Sequence, residues 1–424
     1  MEMIGSKARV VAIVWVAGLT MIGCVKTPPI VVEVVPDRED EMISEIADLT
    51  VKLQEKRGPL QGGEIFRGVH PKSLGCVVAS FTVLKHIGGD YRVGLFARPE
   101  TYEAMIRYSN AAVLKLPDLK DGENGSRGMA IKVFGVNGPV MLMDGGARNQ
   151  DFLMINTAAF AFANVRDYLR LSRALMADRH GASPNLFFLP LALAALGRPA
   201  EYESAEVTQR RQFLNGVIKN SPVFEGFTPE DEANTFLSSQ VVGKIKSKAV
   251  ENPLEVQYFS AAPFRYGFDR VMKFSVVPAA GEEPRKAFSP EEAFSRDPDY
   301  LSRALKKSLA QGKTIHLSFM IQVVEESQLA GRKQDMIENA ALAWDEEEFP
   351  FVKVAHITID PDGQNEPLVD ACDALQFTPW HALAAHEPLG GINRLRKPVY
   401  CASAEFRSNG GDPDRVLCQD AENY

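Results

Sequence analysis

Near its C-terminus the chain reads Ile392-Asn393-Arg394-Leu395-Arg396-Lys397-Pro398-Val399-Tyr400-Cys401-Ala402-Ser403-Ala404-Glu405-Phe406-Arg407, and this stretch most constrains what the rest can fold into. On a helix, Arg396 and Tyr400 lie four apart and share one face. Ser403 and Arg407 continue the stripe, because offsets of about 4, 7 and 11 stay close to the ~3.6-residue period. A tyrosine between two arginines is a poor choice for a surface and a good one for an iron ligand. The phenol ordinarily loses its proton near pH ~10. Ferric iron on one side and a guanidinium on the other both favour the phenolate. The expectation is a helix, begun or kinked at Pro398 because proline lacks an amide donor, with Tyr400 turned towards iron. Cys401 offers a rival thiolate, but the residues around the pair favour Tyr400.

Further motifs follow one another along the chain. They are Arg67-Gly68-Val69-His70, then Ile106-Arg107-Tyr108-Ser109, then Gly125-Ser126-Arg127-Gly128-Met129-Ala130-Ile131-Lys132-Val133-Phe134. Later come Asp297-Pro298-Asp299-Tyr300, Gly312-Lys313 and Phe319-Met320-Ile321-Gln322-Val323-Val324. Together with Arg396-x-x-x-Tyr400-x-x-Ser403-x-x-x-Arg407, this series resembles the catalase family in order and spacing. Its distal Arg-x-Val-His, its Val-Arg-Phe-Ser, its Arg-Gly-Phe-Ala-x-Lys-Phe and its proximal helix all have counterparts, from about Arg67 to Arg407. The resemblance implies an α+β fold: a catalase-like antiparallel eight-stranded β-barrel with surrounding helices and a proximal haem helix. It implies haem b as cofactor, its iron held by Tyr400. The chain lacks the family's long wrapping segments and C-terminal nucleotide-binding region. In this it resembles the compact catalase-related peroxidases and allene oxide synthases, which removes the grounds for NADPH binding and an intertwined tetramer and leaves the oligomeric state open.

The same resemblance assigns roles. His70 matches the distal histidine that carries a proton between the peroxide oxygens. Ser109 would accept a hydrogen bond from its second ring nitrogen and fix the tautomer. Asn149 matches the asparagine that orients peroxide, with Gln150 and Asn156 as competitors because the local spacing differs by about one residue. Arg67, Arg107 and Arg407 match arginines that pair haem propionates. Arg396 would stand beside the phenolate, and Val69 with Phe160 (or Phe162) would line the porphyrin. His316, His356, His381 and His386 have no matching partners and read as structural or exposed. Val69 agrees with catalases, where allene oxide synthases carry threonine. Tyr108 replaces the usual phenylalanine and, with the missing outer segments, tilts away from fast dismutation. The implied function is a haem-dependent peroxidase or catalase-like enzyme. It would cleave hydrogen peroxide or organic hydroperoxides through a ferryl intermediate, later reduced by an organic donor. The alternatives are a fatty-acid hydroperoxide isomerase or lyase and a non-catalytic haem-binding lipoprotein.

The chain's 424 residues, 45% apolar and 24% charged, suit one large domain or two modest ones. Lys and Arg total 47 against 55 Asp and Glu, a balance of −8 that argues against a nucleic-acid surface. Lys7 and Arg9 precede an apolar run from Val10 to Ile22, and Met21-Ile22-Gly23-Cys24 resembles a lipoprotein cleavage box. The expected division is 1–24 as signal peptide, 25–56 as tether and leading helix, 57–410 as haem domain and 411–424 as tail. Lipidation at Cys24 would hold the exported protein to a membrane, facing the periplasm or cell exterior. The other cysteines are Cys76, Cys372, Cys401 and Cys418. A Cys76–Cys372 or Cys401–Cys418 bridge would suit an oxidising compartment, but free buried thiols are the expectation.

Strand signals are expected at 76–84, 255–260, 271–277, 314–324 and 351–359, the fourth alternating Ile315, Leu317, Phe319, Ile321 and Val323 on one face. A leading helix is expected over 42–55 and a helical block from Asn164 towards Glu232. The apolar run Leu186–Leu196, broken by Pro190, reads as a buried helix, with a membrane-facing lip as the alternative.

Overall fold

The structure, a computed structural model, describes residues 33–111, 114, 117–118, 125–143, 146–279, 297–364, 371–372, 374–408 and 418–420. The signal-like segment, Cys24 and most of the tail lie outside them.

Eleven strands are described: β1 (Ser73–Val83), β2 (Thr101–Asn110), β3 (Arg127–Phe134), β4 (Leu142–Met143), β5 (Asn149–Ile155), β6 (Tyr258–Phe259), β7 (Phe264–Arg265), β8 (Arg270–Pro278), β9 (Ile315–Glu325), β10 (Val352–Ile359) and β11 (Gln419–Asp420). Antiparallel pairing runs β6-β5-β3-β2-β1-β10-β9-β8, and a β6–β8 pairing joins the two ends. Eight strands therefore close into a barrel, which leaves no free edge. β7 pairs with β8 outside the ring, and β4 with β11 forms a separate ribbon.

Alternation along the strands fills this barrel with side chains. Ile106 and Tyr108 from β2, Phe152 from β5, Phe274 from β8 and Ile315 to Ile321 from β9 share one core. Phe152 lies 4.7 Å from Phe319 and 4.9 Å from Phe274, ring centre to ring centre. Each such ring contributes roughly 1.5–3 kcal/mol by leaving water. With its interior occupied by rings, the barrel presents chemistry on its outer face, where Arg107, Ser109 and Lys132 alternate with the inward residues.

Seven α-helices surround it among the described residues: α1 (Glu39–Arg57), α2 (Val165–Ala177), α3 (Leu189–Ala194), α4 (Ala205–Asn220), α5 (Pro229–Ser247), α6 (Tyr300–Leu309) and α7 (Gly391–Ser408). α1 opens with Glu39, Asp40 and Glu41 and closes with Lys56 and Arg57, the charge order its dipole favours. It therefore extends beyond the expected 42–55. α7 begins seven residues before Pro398, so the proline neither starts the helix nor ends it. The apolar run at 186–196 departs from expectation. Only the short α3 forms there, with Pro190 its one buried residue, because Pro190 and Gly197 limit the helix on either side. None of the described helices is long and apolar enough to cross a membrane.

The cysteines also depart from expectation: Cys76 bonds to Cys372 and Cys401 to Cys418. The expectation of free thiols failed because the partners are 296 residues apart in one case and hidden by irregular spacing in the other. Cys76–Cys372 staples the segment around Leu375 and Phe377 to the outer face of β1 and β2. Replacing both cysteines by serine is expected to cost about 2–5 kcal/mol. Thermal unfolding with and without reductant checks this; an unchanged midpoint in the double variant would show that the bridge adds nothing.

Candidate functional site

The site is built where β1, β2 and β3 meet α1 and α7. β2 brings Arg107 and Ser109 to the outer face, and Ser109 pairs across the ladder with Gly128 of β3. His70 enters this corner from the loop before β1, in a left-handed backbone conformation at φ 55°. That region is uncommon for a non-glycine residue, though histidine tolerates it better than most, and such strain clusters at functional positions. Nδ1 of His70 lies 2.9 Å from the Ser109 hydroxyl, and Arg107 Nη2 donates to the His70 carbonyl at 3.2 Å.

Burial, followed by the guanidinium charges of Arg107, Arg396 and Arg67, pulls the His70 imidazole down to about 3. Three arginines from three separate parts of the chain thus act on one neutral ring. Arg67 donates to the Leu375 carbonyl at 2.7 Å, on the segment stapled by Cys372. Arg396 reaches the Asn393 side chain at 3.1 Å and lies 5.6 Å over the Phe160 ring.

α7 carries the rest of the stripe to the same corner. Gly68, two residues before His70, donates its amide to the Ser403 hydroxyl at 3.1 Å. Gln54 of α1 donates to the Phe66 carbonyl at 2.7 Å. A Cβ on Gly68 would stand 2.9 Å from Thr50 and 3.2 Å from Ser403, so only glycine lets the two segments touch. Tyr400, half-buried, packs beneath α1 against the cluster that includes Ile43, Val165 and Leu395, which Phe160 and Tyr168 also flank. Burial, with the Tyr400 hydroxyl next, raises the Tyr168 phenol to about 12, against the opposing charges of Arg396 and Arg57. Cys401 is committed to its disulfide, which removes the rival ligand.

The structure brings together Arg67, Val69, His70, Arg107, Ser109, Phe160, Arg396 and Tyr400, with Arg407 one turn beyond Ser403 and half-exposed. Asn149 is not among them. It pairs with Phe134 at the end of β3 opposite Gly128, and six strand residues separate the two by about 20 Å. Gln150 accepts from the Leu383 amide and is likewise remote. Asn156, the third candidate, stands at the correct end, next to Ile155, which pairs with Gly128. Its Oδ1 accepts from the Arg127 amide at 2.8 Å, while its buried Nδ2 has no partner. The spacing around Arg148 hid this because a one-residue slip along a strand does not reveal which end is near the histidine.

Gly128 was legible as part of a motif but not as a functional position. A Cβ there would lie 2.5 Å from His70 Nδ1 and 2.7 Å from the Ser109 hydroxyl. Gly128→Ala must therefore displace the imidazole or break its bond to Ser109. Overpacking of this kind costs about 1–3 kcal/mol. The variant is expected to fold with a lowered melting point; an unchanged melting point would mean the ring is not held there.

No family model matches the chain, and no curated protein matches it either. Solved structures do. A fungal catalase matches with 15% identity and a TM-score of 0.53 over 81% of this chain and 59% of its own. A bacterial catalase matches with 13% identity and a TM-score of 0.55, covering 86% and 62%. Catalase A from Saccharomyces cerevisiae matches with 15% identity and a TM-score of 0.53, covering 81% and 61%.

The fold is catalase-like.

The chain spans about three fifths of the length of these catalases, and at such identity the likeness carries the architecture alone. The donor set itself is what bears on a cofactor. Tyr400 carries a phenol oxygen on α7, a donor type that iron accepts, and among the described residues no three His, Cys, Asp or Glu side chains cluster to hold a bare metal ion. The clustered arginines suit the carboxylates of a porphyrin. These residues fit haem.

Proposed function

We propose that the chain holds haem b between the His70 corner and α7, with Tyr400 as iron ligand, and that it cleaves peroxides as a catalase-like peroxidase. The observation that carries this reading is the half-buried His70, whose Nδ1 lies 2.9 Å from the Ser109 hydroxyl and whose imidazole is held below the ordinary histidine range by desolvation and by the charges of Arg107, Arg396 and Arg67.

When bound, the cofactor supplies the redox-active iron for O–O cleavage. The protein's share is binding, orientation and proton transfer. Arg67, Arg107 and Arg407 would hold the propionates, and Arg396 would favour the Tyr400 phenolate. With Nδ1 engaged by Ser109, Nε2 of His70 is the ring atom left to take a proton from one peroxide oxygen. The same atom returns it to the other oxygen, which leaves as water or an alcohol. A base depressed so far below its ordinary range stays unprotonated at neutral pH, as this relay needs. Asn156 is the amide best situated to orient the peroxide.

The test is rapid mixing of haem-loaded protein with hydrogen peroxide and, separately, with a fatty-acid hydroperoxide. A spectral change whose decay quickens on adding a phenol supports peroxidase action. Oxygen release without a donor would move the reading to catalase. Donor-free conversion of the lipid hydroperoxide would move it to an isomerase, and silence with both would leave a haem carrier.

A further inference from the structure

Arg57, in the last turn of α1, is 3% exposed. Its Nε donates to the Gly181 carbonyl at 2.8 Å and its Nη1 to the Gly68 carbonyl at 3.2 Å. Its Nη2 is buried and has no partner. Two other buried arginines meet a carboxylate: Arg170 meets Asp167 at 3.0 Å and Arg265 meets Glu387 at 2.8 Å. Arg57 meets none among the described residues, and the ionisable group that acts on it is the Tyr168 phenol. A buried guanidinium without a counter-charge is costly to keep, and burial accordingly pulls this one down to about 10.

Its position gives the unmet charge a direction. Gly68 belongs to the loop that delivers His70, and Tyr168 packs against Phe160 beside Tyr400. One turn earlier on the same face of α1, the Oε1 of Gln54 is also buried without a partner, while its amide nitrogen holds Phe66. Arg57 therefore lies between the histidine loop and α2, with an unused donor of fixed planar geometry.

We propose that Arg57 is the charged end of a carboxylate-binding subsite beside His70 and Tyr400, a site that takes one carboxylate of an organic ligand occupying this corner. The inference rests on the haem reading for what that corner does, but not for the charge itself. Two sources carry the required chemistry: a propionate of the cofactor, or the carboxylate of an organic hydroperoxide substrate. In either case the guanidinium offers its remaining N–H to a carboxylate oxygen in a site already desolvated, where such a pair is strongest.

The experiment uses the full chain, wild type and Arg57→Met, in two calorimetric or spectroscopic titrations. The first compares decanoate with decan-1-ol on haem-free protein. The second compares haem with its dimethyl ester. A substrate-type site is expected to lose at least ~10-fold in decanoate affinity in the variant, with decan-1-ol and haem unchanged. A cofactor-type site is expected to lose the preference for haem over its diester, with decanoate unchanged. If neither titration distinguishes the folded variant from wild type, the subsite does not exist. Should Arg57→Met fail to fold, Arg57→Lys keeps the charge and stem but loses the planar fork. An Arg57→Lys variant with wild-type behaviour in both titrations overturns the proposal. If wild type binds no haem at all, the reading of the preceding subsection fails, and the decanoate arm still decides the role of Arg57.

Discussion

Tyr400→Phe is expected to leave the protein folded and nearly unable to retain haem. Phenylalanine keeps the ring that packs against the Ile43, Val165 and Leu395 cluster and removes only the oxygen proposed to hold iron. No neighbour replaces it. Cys401 is bonded to Cys418, and His70 belongs to the opposite wall, tied to Ser109. Losing a metal's outer-shell partner commonly costs ~10–100-fold in affinity, and losing the proposed iron ligand is expected to cost more. Titration of haem into the purified variant, followed by its absorbance, measures the loss, and thermal unfolding checks that the fold persists. An unchanged haem spectrum in the variant would remove Tyr400 from the site.

The second large effect concerns His70. In the His70→Ala variant, haem is expected to remain, while peroxide cleavage falls by roughly 10²–10⁴-fold, the range typical of a lost general acid–base group. Normal turnover would end its catalytic role. The native protein carries a companion signature in its pH dependence. The folded imidazole is depressed to about 3, whereas an unfolded histidine titrates near ~6.5. As pH falls below ~6.5 the unfolded state takes up a proton that the folded state refuses, so stability declines between ~6.5 and ~3. Above that window the contribution is fully present. Turnover, which needs the neutral ring, is expected to stay level from neutral pH downwards until the acid limit is approached. His70→Ala should flatten the acid slope of stability; an equal slope in both proteins would mean that other groups dominate it.

Residue by residue, the sequence was most legible where a requirement is local. The stripe Arg396, Tyr400, Ser403 and Arg407 lies on one helix, and α7 spans it from Gly391 to Ser408. The alternation in β9 placed Ile315, Leu317, Phe319 and Ile321 in the core because period and burial are properties of a single strand. Arg67, His70, Arg107 and Ser109 stood in short motifs, and the chain's order of motifs pointed to the barrel that the pairings close.

Asn149 shows the boundary of that legibility. Its type and neighbourhood matched, yet register puts it about 20 Å along the strand from Gly128, and Asn156 stands at the histidine's end instead. Register depends on which residues of β3 and β5 face one another, and no residue of β5 alone states it. The same reason left the two named cysteine pairings undecided, and it hid the lack of room at Gly128, the exposure of α3 and the buried charge of Arg57. Composition, helix and strand periods and the types of residue available for chemistry were therefore determined by the sequence by itself. Which of those residues share a site was decided only by the tertiary structure, because proximity across hundreds of residues comes from strand pairing and helix packing rather than from any local propensity.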